Sequence, residues 1–296
     1  AARSYGGRLH EERAARLELL ATAIKNVAAR GGKLVIPSFA VGRTQDLLYH
    51  IKTLYMNHKV PRIPVFIDSP MAVSATETFR DHPECYDRET REMLSMNKSP
   101  FDFDELRMVR AVEDSKALNA MEGTAIIISA SGMCEAGRIL HHLKHNLWRP
   151  DATVLFVGFQ AEGTLGRRLQ SGEREVRVFS EDIVVKAAIK SIDGFSAHAD
   201  ASGLVEWVQS NESKPKAVFL VHGEEESINS LSSKIQEQIG TECLAPLLDE
   251  SFEVSAAGVR RSGAAPAKHA VIDELYNQVD QAWKQLHQRW TDGEEN

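Results

Sequence analysis

No stretch of this 296-residue sequence strings together the ~18 apolar residues that a bilayer-crossing helix needs, so no membrane span is expected. Cysteine is scarce. Cys85, Cys134 and Cys243 are far apart and odd in number, which excludes a disulfide framework and fits a reducing, cytoplasmic setting. The first residues include arginines but no apolar segment of the signal-peptide kind. Positive charge is not in excess either: 35 Lys and Arg face 42 Asp and Glu, a formal net charge of −7. That balance speaks against a broadly basic nucleic-acid-binding face, yet it leaves room for a local basic groove, because the field in a cleft is set by the groups around it. Also missing are His-x-His-x-Asp-His, His-Glu-x-x-His and Cys-x-x-Cys. A zinc centre takes three or four ligands, and no motif here supplies them as a set.

What is present is an ordinary globular composition, 43% apolar and 26% charged, in a chain long enough for one large core or two. Residues 9–30 place Leu17, Leu20, Ile24 and Val27 at helical spacing and stop at Gly31-Gly32. Strands are expected at Lys33–Ile36, Val65–Ile67, Thr124–Ser129 and Thr153–Gly158, each followed by a polar loop and a helix. That alternation implies an α/β fold with a largely parallel sheet. From about residue 175 the pattern changes. Glu175–Phe179 and Ile183–Ile192 alternate like antiparallel strands, and helices at Ala201–Ser210 and Glu226–Ile239 flank a buried strand at Val218–Val221. A domain boundary is expected near residue 194. Residues 271–290 form an amphipathic pattern behind a Gly/Ala/Pro-rich linker and read as a docking or oligomerisation helix, so a homodimer is among the expected assemblies.

In such sheets the ligand lies beyond the carboxyl ends of the strands. The loops expected there carry Ser38, Arg43, Ser69, Ser129, Ser131, Gly132, Gln160 and Thr164, most of them just before a helix N-terminus. Hydroxyls and exposed N–H groups in that position suit phosphate. The same Ser and Thr residues also suit plain helix caps, and both readings stay open.

Two histidines stand in Gly/Ser/Asp-rich stretches: His198 in Phe195-Ser196-Ala197-His198-Ala199-Asp200, and His222 in Val221-His222-Gly223-Glu224. A near-neutral pKa suits proton delivery, and a neutral imidazole suits zinc; a lone histidine is otherwise an ordinary loop or core residue. His141 and His145 form an i, i+4 pair able to bind metal, but no third ligand follows at useful spacing, so they read as a helix face.

Taken in order, several segments resemble the β-CASP family of metallo-β-lactamase-fold nucleases, which includes bacterial and archaeal RNases and the mRNA 3′-end processing endonuclease. They are Ser4-Tyr5-Gly6 with Arg8-Leu9-His10-Glu11, Pro37-Ser38-Phe39-Ala40-Val41-Gly42-Arg43-Thr44-Gln45, Asp68-Ser69-Pro70, Ser129-Ala130-Ser131-Gly132-Met133, Gly158-Phe159-Gln160-Ala161-Glu162-Gly163-Thr164-Leu165, and both histidine motifs. The resemblance implies the end of an N-terminal lactamase-like half at 1–6 and a largely parallel-sheet β-CASP domain at 7–194. It also implies a returning segment of a metallo-β-lactamase-like αββα domain at 195–250, then a C-terminal linker and amphipathic helix at 251–296. By the same resemblance His198 contacts the scissile phosphate and protonates the leaving oxygen, and His222 is a zinc ligand. Two zinc ions are expected in the complete protein. The remaining ligands belong to a lactamase half upstream, absent from this sequence, so the chain is expected to be a partial and inactive fragment. The family's acidic residue three positions before the Tyr-Gly pair would fall at Ala2, which removes an expected partner of His198. His222 favours RNA, since DNA-repair members carry an apolar residue there.

The expected function is therefore a zinc-dependent RNA phosphodiester hydrolase acting on single-stranded RNA. The alternatives are a non-catalytic RNA-binding or scaffolding protein that has lost the metal site, and a phosphate- or nucleotide-binding α/β domain unrelated to hydrolysis.

Overall fold

Leu20, Ile24 and Val27 recur at helical spacing and are wholly buried, which seats helix α1 (Arg13–Arg30) on the sheet behind it. It stops at Gly31, whose φ of +71° is cheap only for glycine. The computed structural model describes residues 13–96, 99–193, 195, 199–247 and 249–263. Two units divide the chain, Leu9–His198 and Ala199–Asn296 with Ala1–Arg8.

In the first unit, helices alternate with β1 (Lys33–Pro37), β2 (Val65–Asp68), β3 (Leu106–Val109), β4 (Ala125–Ser129) and β5 (Thr153–Phe156). The intervening helices include α2 (Arg43–Met56), α3 (Pro70–Asp81), α4 (Arg88–Ser95), α5 (Val112–Ala120) and α6 (Ile139–Asn146), with α7 (Leu165–Gln170) after β5. β1 and β4 are buried along their whole length. Such unbroken runs are what a parallel sheet covered on both faces requires. A hairpin, β6 (Glu175–Val178) and β7 (Glu181–Val184), precedes β8 (Ala188–Ser191). The six-stranded sheet has the order β3-β2-β4-β1-β5-β8, with every pair parallel. One apolar cluster around Leu34, Ile36, Leu47, Ile67 and Ile128 lies on one side, and another around Val35, Leu143, Val154 and Phe156 lies on the other.

Two expectations need correction here. Ile183–Ile192 is not one antiparallel strand: residues 185–187 break it, and β8 pairs in parallel with β5. α3 is the helix expected after β2, whereas a parallel edge strand, β3, and helices α4 and α5 lie where the sequence gives no such expectation; β3 is only half-buried and so lacks the apolar run of its neighbours.

In the second unit, α8 (Ala201–Gln209) is capped by Asp200, whose side chain accepts from Gly203 N–H at 2.9 Å. It packs with α9 (Glu225–Ile239) through Val205, Val208, Leu231 and Ile235. β9 (Ala217–Phe219) pairs in parallel with β10 (Glu242–Leu244), and β11 (Ser251–Ser255) forms a hairpin with β12 (Gly258–Gly263). Val218–Val221 is not a buried strand as expected: only Leu220 in it is buried. No described helix is long and apolar enough to cross a membrane. The patterns at residues 1–12 and 271–290 lie outside the described residues.

Candidate nucleic-acid interface

The carboxyl ends of β1, β2, β4 and β5 deliver the loops that the sequence singles out, and their polar groups are tied to one another. Ser38 N–H donates to Ser129 O at 2.9 Å. Ser129 Oγ donates to Asp68 O at 2.7 Å, so β1, β4 and β2 are stitched together just where their ladder ends. Thr44 Oγ1 reaches Ser38 Oγ at 3.1 Å. Ser69 caps α3, accepting from Ala72 N–H at 3.3 Å, and Thr164 caps α7, accepting from Arg167 N–H at 3.2 Å. Ser131 Oγ accepts from Glu135 N–H at 3.1 Å. Ser69 and Thr164 thus take the capping roles that their residue types allow, and Ser131 holds the turn that follows β4.

Gln160 is buried and ties two loops, its Nε2 donating to Gly132 O at 2.9 Å. Its Oε1 has no partner among the described residues and lies 1.7 Å from where a Cβ on Gly166 would stand. Gly166→Ala is therefore expected to destabilise the unit by about 1–3 kcal/mol through overpacking, read as a lower urea midpoint at unchanged slope. An unchanged midpoint would mean that Gln160 swings clear at no cost.

Ser69 and Ser131 come together. With Pro70, Ala130, Ala136, Gly137 and Arg138 they line a cavity of about 220 Å³ at the ends of β2 and β4. Neither serine O–H donates to an acceptor among the described residues. The N-terminus of α3 opens there, and its first turn holds no acidic residue. Its partial positive end favours an anion.

Arg138 is held from below by Asp68. Arg138 Nη1 donates to Asp68 Oδ1 at 2.7 Å, and Nη2 donates to Arg110 O at 2.7 Å. Asp68 is fully buried and also accepts from His142 Nε2 at 2.6 Å and Ser115 Oγ at 2.5 Å. Burial alone would raise its pKa, but the hydrogen bonds from His142, Ser115 and Arg138 outweigh that and hold the carboxyl below its ordinary value. His142 is itself fully buried, and its Nδ1 has no partner among the described residues. Asp68, Arg138 and His142 are not among the site residues expected from the sequence, although Asp68 stands in the Asp68-Ser69-Pro70 motif. The available signal was an acid ending an apolar strand at the edge where ligands collect.

The other residues are placed as follows. Arg43 opens α2 with its guanidinium 3.7 Å from Asp46 Oδ2, and it is not among the residues lining that cavity. His141 and His145 are exposed on α6; burial and then the Lys144 charge lower the His145 pKa, and the His141 ring lies 4.8 Å from that of Phe179. His222 is exposed beyond β9 with a φ of +59°, and Glu224 stands after it at the N-cap position of α9. His198 lies outside the described residues. Among the described residues no three His, Cys, Asp or Glu side chains are grouped to hold a metal ion. They do not fit a zinc centre by themselves.

Residues 44–169 match the family model described as the Beta-Casp domain, and residues 182–246 match the Zn-dependent metallo-hydrolase RNA specificity domain. A ribonuclease of Thermus thermophilus is 36% identical over 228 residues, 77% of this chain and 52% of that protein. The transcription termination factor FttA of Methanothermobacter thermautotrophicus is 34% identical over 263 residues, 85% of this chain and 40% of that protein. An RNase J-like protein of Methanocaldococcus jannaschii is 31% identical over 201 residues, 68% of this chain and 45% of that protein. The chain spans about half the length of these curated relatives, or less.

Proposed function

Since the chain belongs to the β-CASP family, we propose that it forms the RNA-gripping part of a zinc-dependent RNA phosphodiester hydrolase. The observation that carries this reading is the cavity at the ends of β2 and β4, which Ser69, Ser131 and Arg138 line at the N-terminus of α3. That set of donors suits a phosphate oxygen cluster. Single-stranded RNA would run along the carboxyl edge of the sheet, and Ser38, Ser129, Gly132, Gln160 and Thr164 would hold the loops in shape. Arg43 is a further phosphate contact in this reading. His198 is the proton donor to the leaving oxygen, and His222 is a metal ligand. Zinc would supply an activated water and charge neutralisation when bound. Its other ligands would come from outside the described residues. Phosphate contacts position a strand without reading its bases, so little sequence preference is expected from this edge. The boundaries 7–194 and 195–250 would separate the β-CASP domain from the returning lactamase-like segment, and the protein would work in the cytoplasm.

The test is binding of labelled single-stranded RNA in the presence of a chelator. Arg138→Gln is expected to weaken binding for all sequences alike and to lower the salt slope by about one unit. Ser131→Ala is expected to cost on the order of 1 kcal/mol. Melting curves on each variant separate lost binding from lost folding. If wild-type protein binds no RNA at low salt, or if folded Arg138→Gln binds like wild type with the same slope, the reading fails.

A further inference from the structure

Phe39 is a large aromatic side chain left 49% exposed in the loop after β1. An exposed phenylalanine is unremarkable alone, but this one is held in place by three separate restraints. Thr44 Oγ1 donates to Phe39 O at 2.8 Å, and Ser38 Oγ lies 3.3 Å from the same oxygen. The ring edge lies against Gly132, with Cδ2 and Cε2 both 3.0 Å from where a Cβ on that residue would stand. Gly132 thus seats the ring by having no side chain. The loop's backbone is in turn fixed to β4 by the Ser38 N–H bond to Ser129 O. An apolar surface with so little freedom loses little entropy when something lies on it.

Its neighbours say what that something is. Ser131 lines the cavity of Ser69 and Arg138, and Gly132 is the next residue, their Cα atoms ~3.8 Å apart across a trans bond. Ring and cavity therefore lie within the span of one nucleotide. Val41, 61% exposed in the loop after β1, and Met71, 68% exposed in the first turn of α3, are further exposed apolar side chains beyond the ends of the two strands that flank β4. A phosphate cavity beside a fixed aromatic face matches the two halves of a nucleotide, an anion and a flat π-system.

We propose that Phe39 is a stacking platform for a base of bound single-stranded RNA, next to the phosphate held by Ser69, Ser131 and Arg138. The proposal rests on the RNA reading above and adds a nucleobase subsite to it. Because every base has a π-face, the platform tolerates any sequence while still requiring a base.

The experiment compares oligo(A) with an abasic ribose-phosphate oligomer of equal length on the full chain, again with a chelator. Phe39→Ala is expected to weaken oligo(A) binding by roughly 5–150-fold, the range for losing one stacked base, and to leave the abasic oligomer unaffected. Gly132→Ala, which displaces the ring without removing it, is expected to act in the same direction. Phe39→Trp is expected to retain affinity and to show fluorescence quenching by oligo(A) beyond that of wild type. Phe39→Ala protein that binds oligo(A) as wild type does, or that loses both oligomers equally, overturns the platform. If Arg138 variants still weaken RNA in that case, the phosphate reading stands without it. Wild-type protein that binds neither oligomer overturns both.

Discussion

Asp68→Ala is expected to lower the stability of the first unit by about 3–5 kcal/mol, the loss typical of removing one partner from a buried charged group. The carboxylate is fully buried and gathers Arg138, His142 and Ser115 at 2.5 to 2.7 Å, so its removal strands a guanidinium and a buried imidazole together. It also frees the end of β2 from α5 and α6, which carry Ser115 and His142. Thermal or urea unfolding would measure the loss, and a change within about 0.5 kcal/mol would remove Asp68 from the list of structural centres. The pH dependence follows from the same bonds. The folded carboxyl has a lower pKa than the unfolded one, so between the two values the unfolded chain binds more protons. The stabilisation is complete above about pH 4, the unfolded value, and is lost as the pH falls through the folded value. Asp68→Asn lacks this component and is expected to lose less stability than wild type over that acid range.

His198→Ala is expected to slow RNA cleavage by roughly 10²–10⁴-fold, the span for removing a general acid, in any form of the protein that carries its metal and cleaves RNA. RNA affinity in a chelator should change far less, because the cavity proposed for phosphate at Ser69, Ser131 and Arg138 remains. The slowing should also be partly masked for substrates with a better leaving group, which need no proton. Single-turnover rates on RNA and on an activated phosphodiester would read both effects. Equal slowing on the two substrates would take proton delivery away from His198.

The central strands were legible because Leu34–Ile36, Ile126–Ile128 and Val154–Phe156 are apolar on both faces, a pattern that parallel strands covered by helices must show. β3 was not, because an edge strand needs only one protected side: Leu106, Arg107 and Met108 look like loop. β8 is half-exposed, with Ala188 and Ile189 part-buried and Lys190 and Ser191 exposed, and such a strand is silent about the direction of its partner. In the site, the serine loops were found from their chemistry, but hydroxyl type alone does not tell a cap from a ligand. The hub was missed for a different reason. His142 sits among three histidines of one helix, and only the tertiary contact with Asp68 distinguishes it from exposed His141 and His145. Burial of a polar pair is decided by distant segments, and local spacing carries no trace of it.

The strand order has a consequence for synthesis. β4 comes after β1 and β2 in the chain, yet it lies between them and pairs with both, and the two earlier strands do not touch each other in the sheet. While the protein is being made, β1 and β2 emerge with their inner edges unpaired. They stay so until residues 125–129 leave the ribosome, several seconds later at ~5–20 residues per second. Open edges of that kind are templates for wrong partners. The nascent chain therefore passes through an interval in which β1 and β2 are synthesised and the strand that joins them is not, and it is then that holding by chaperones would count most.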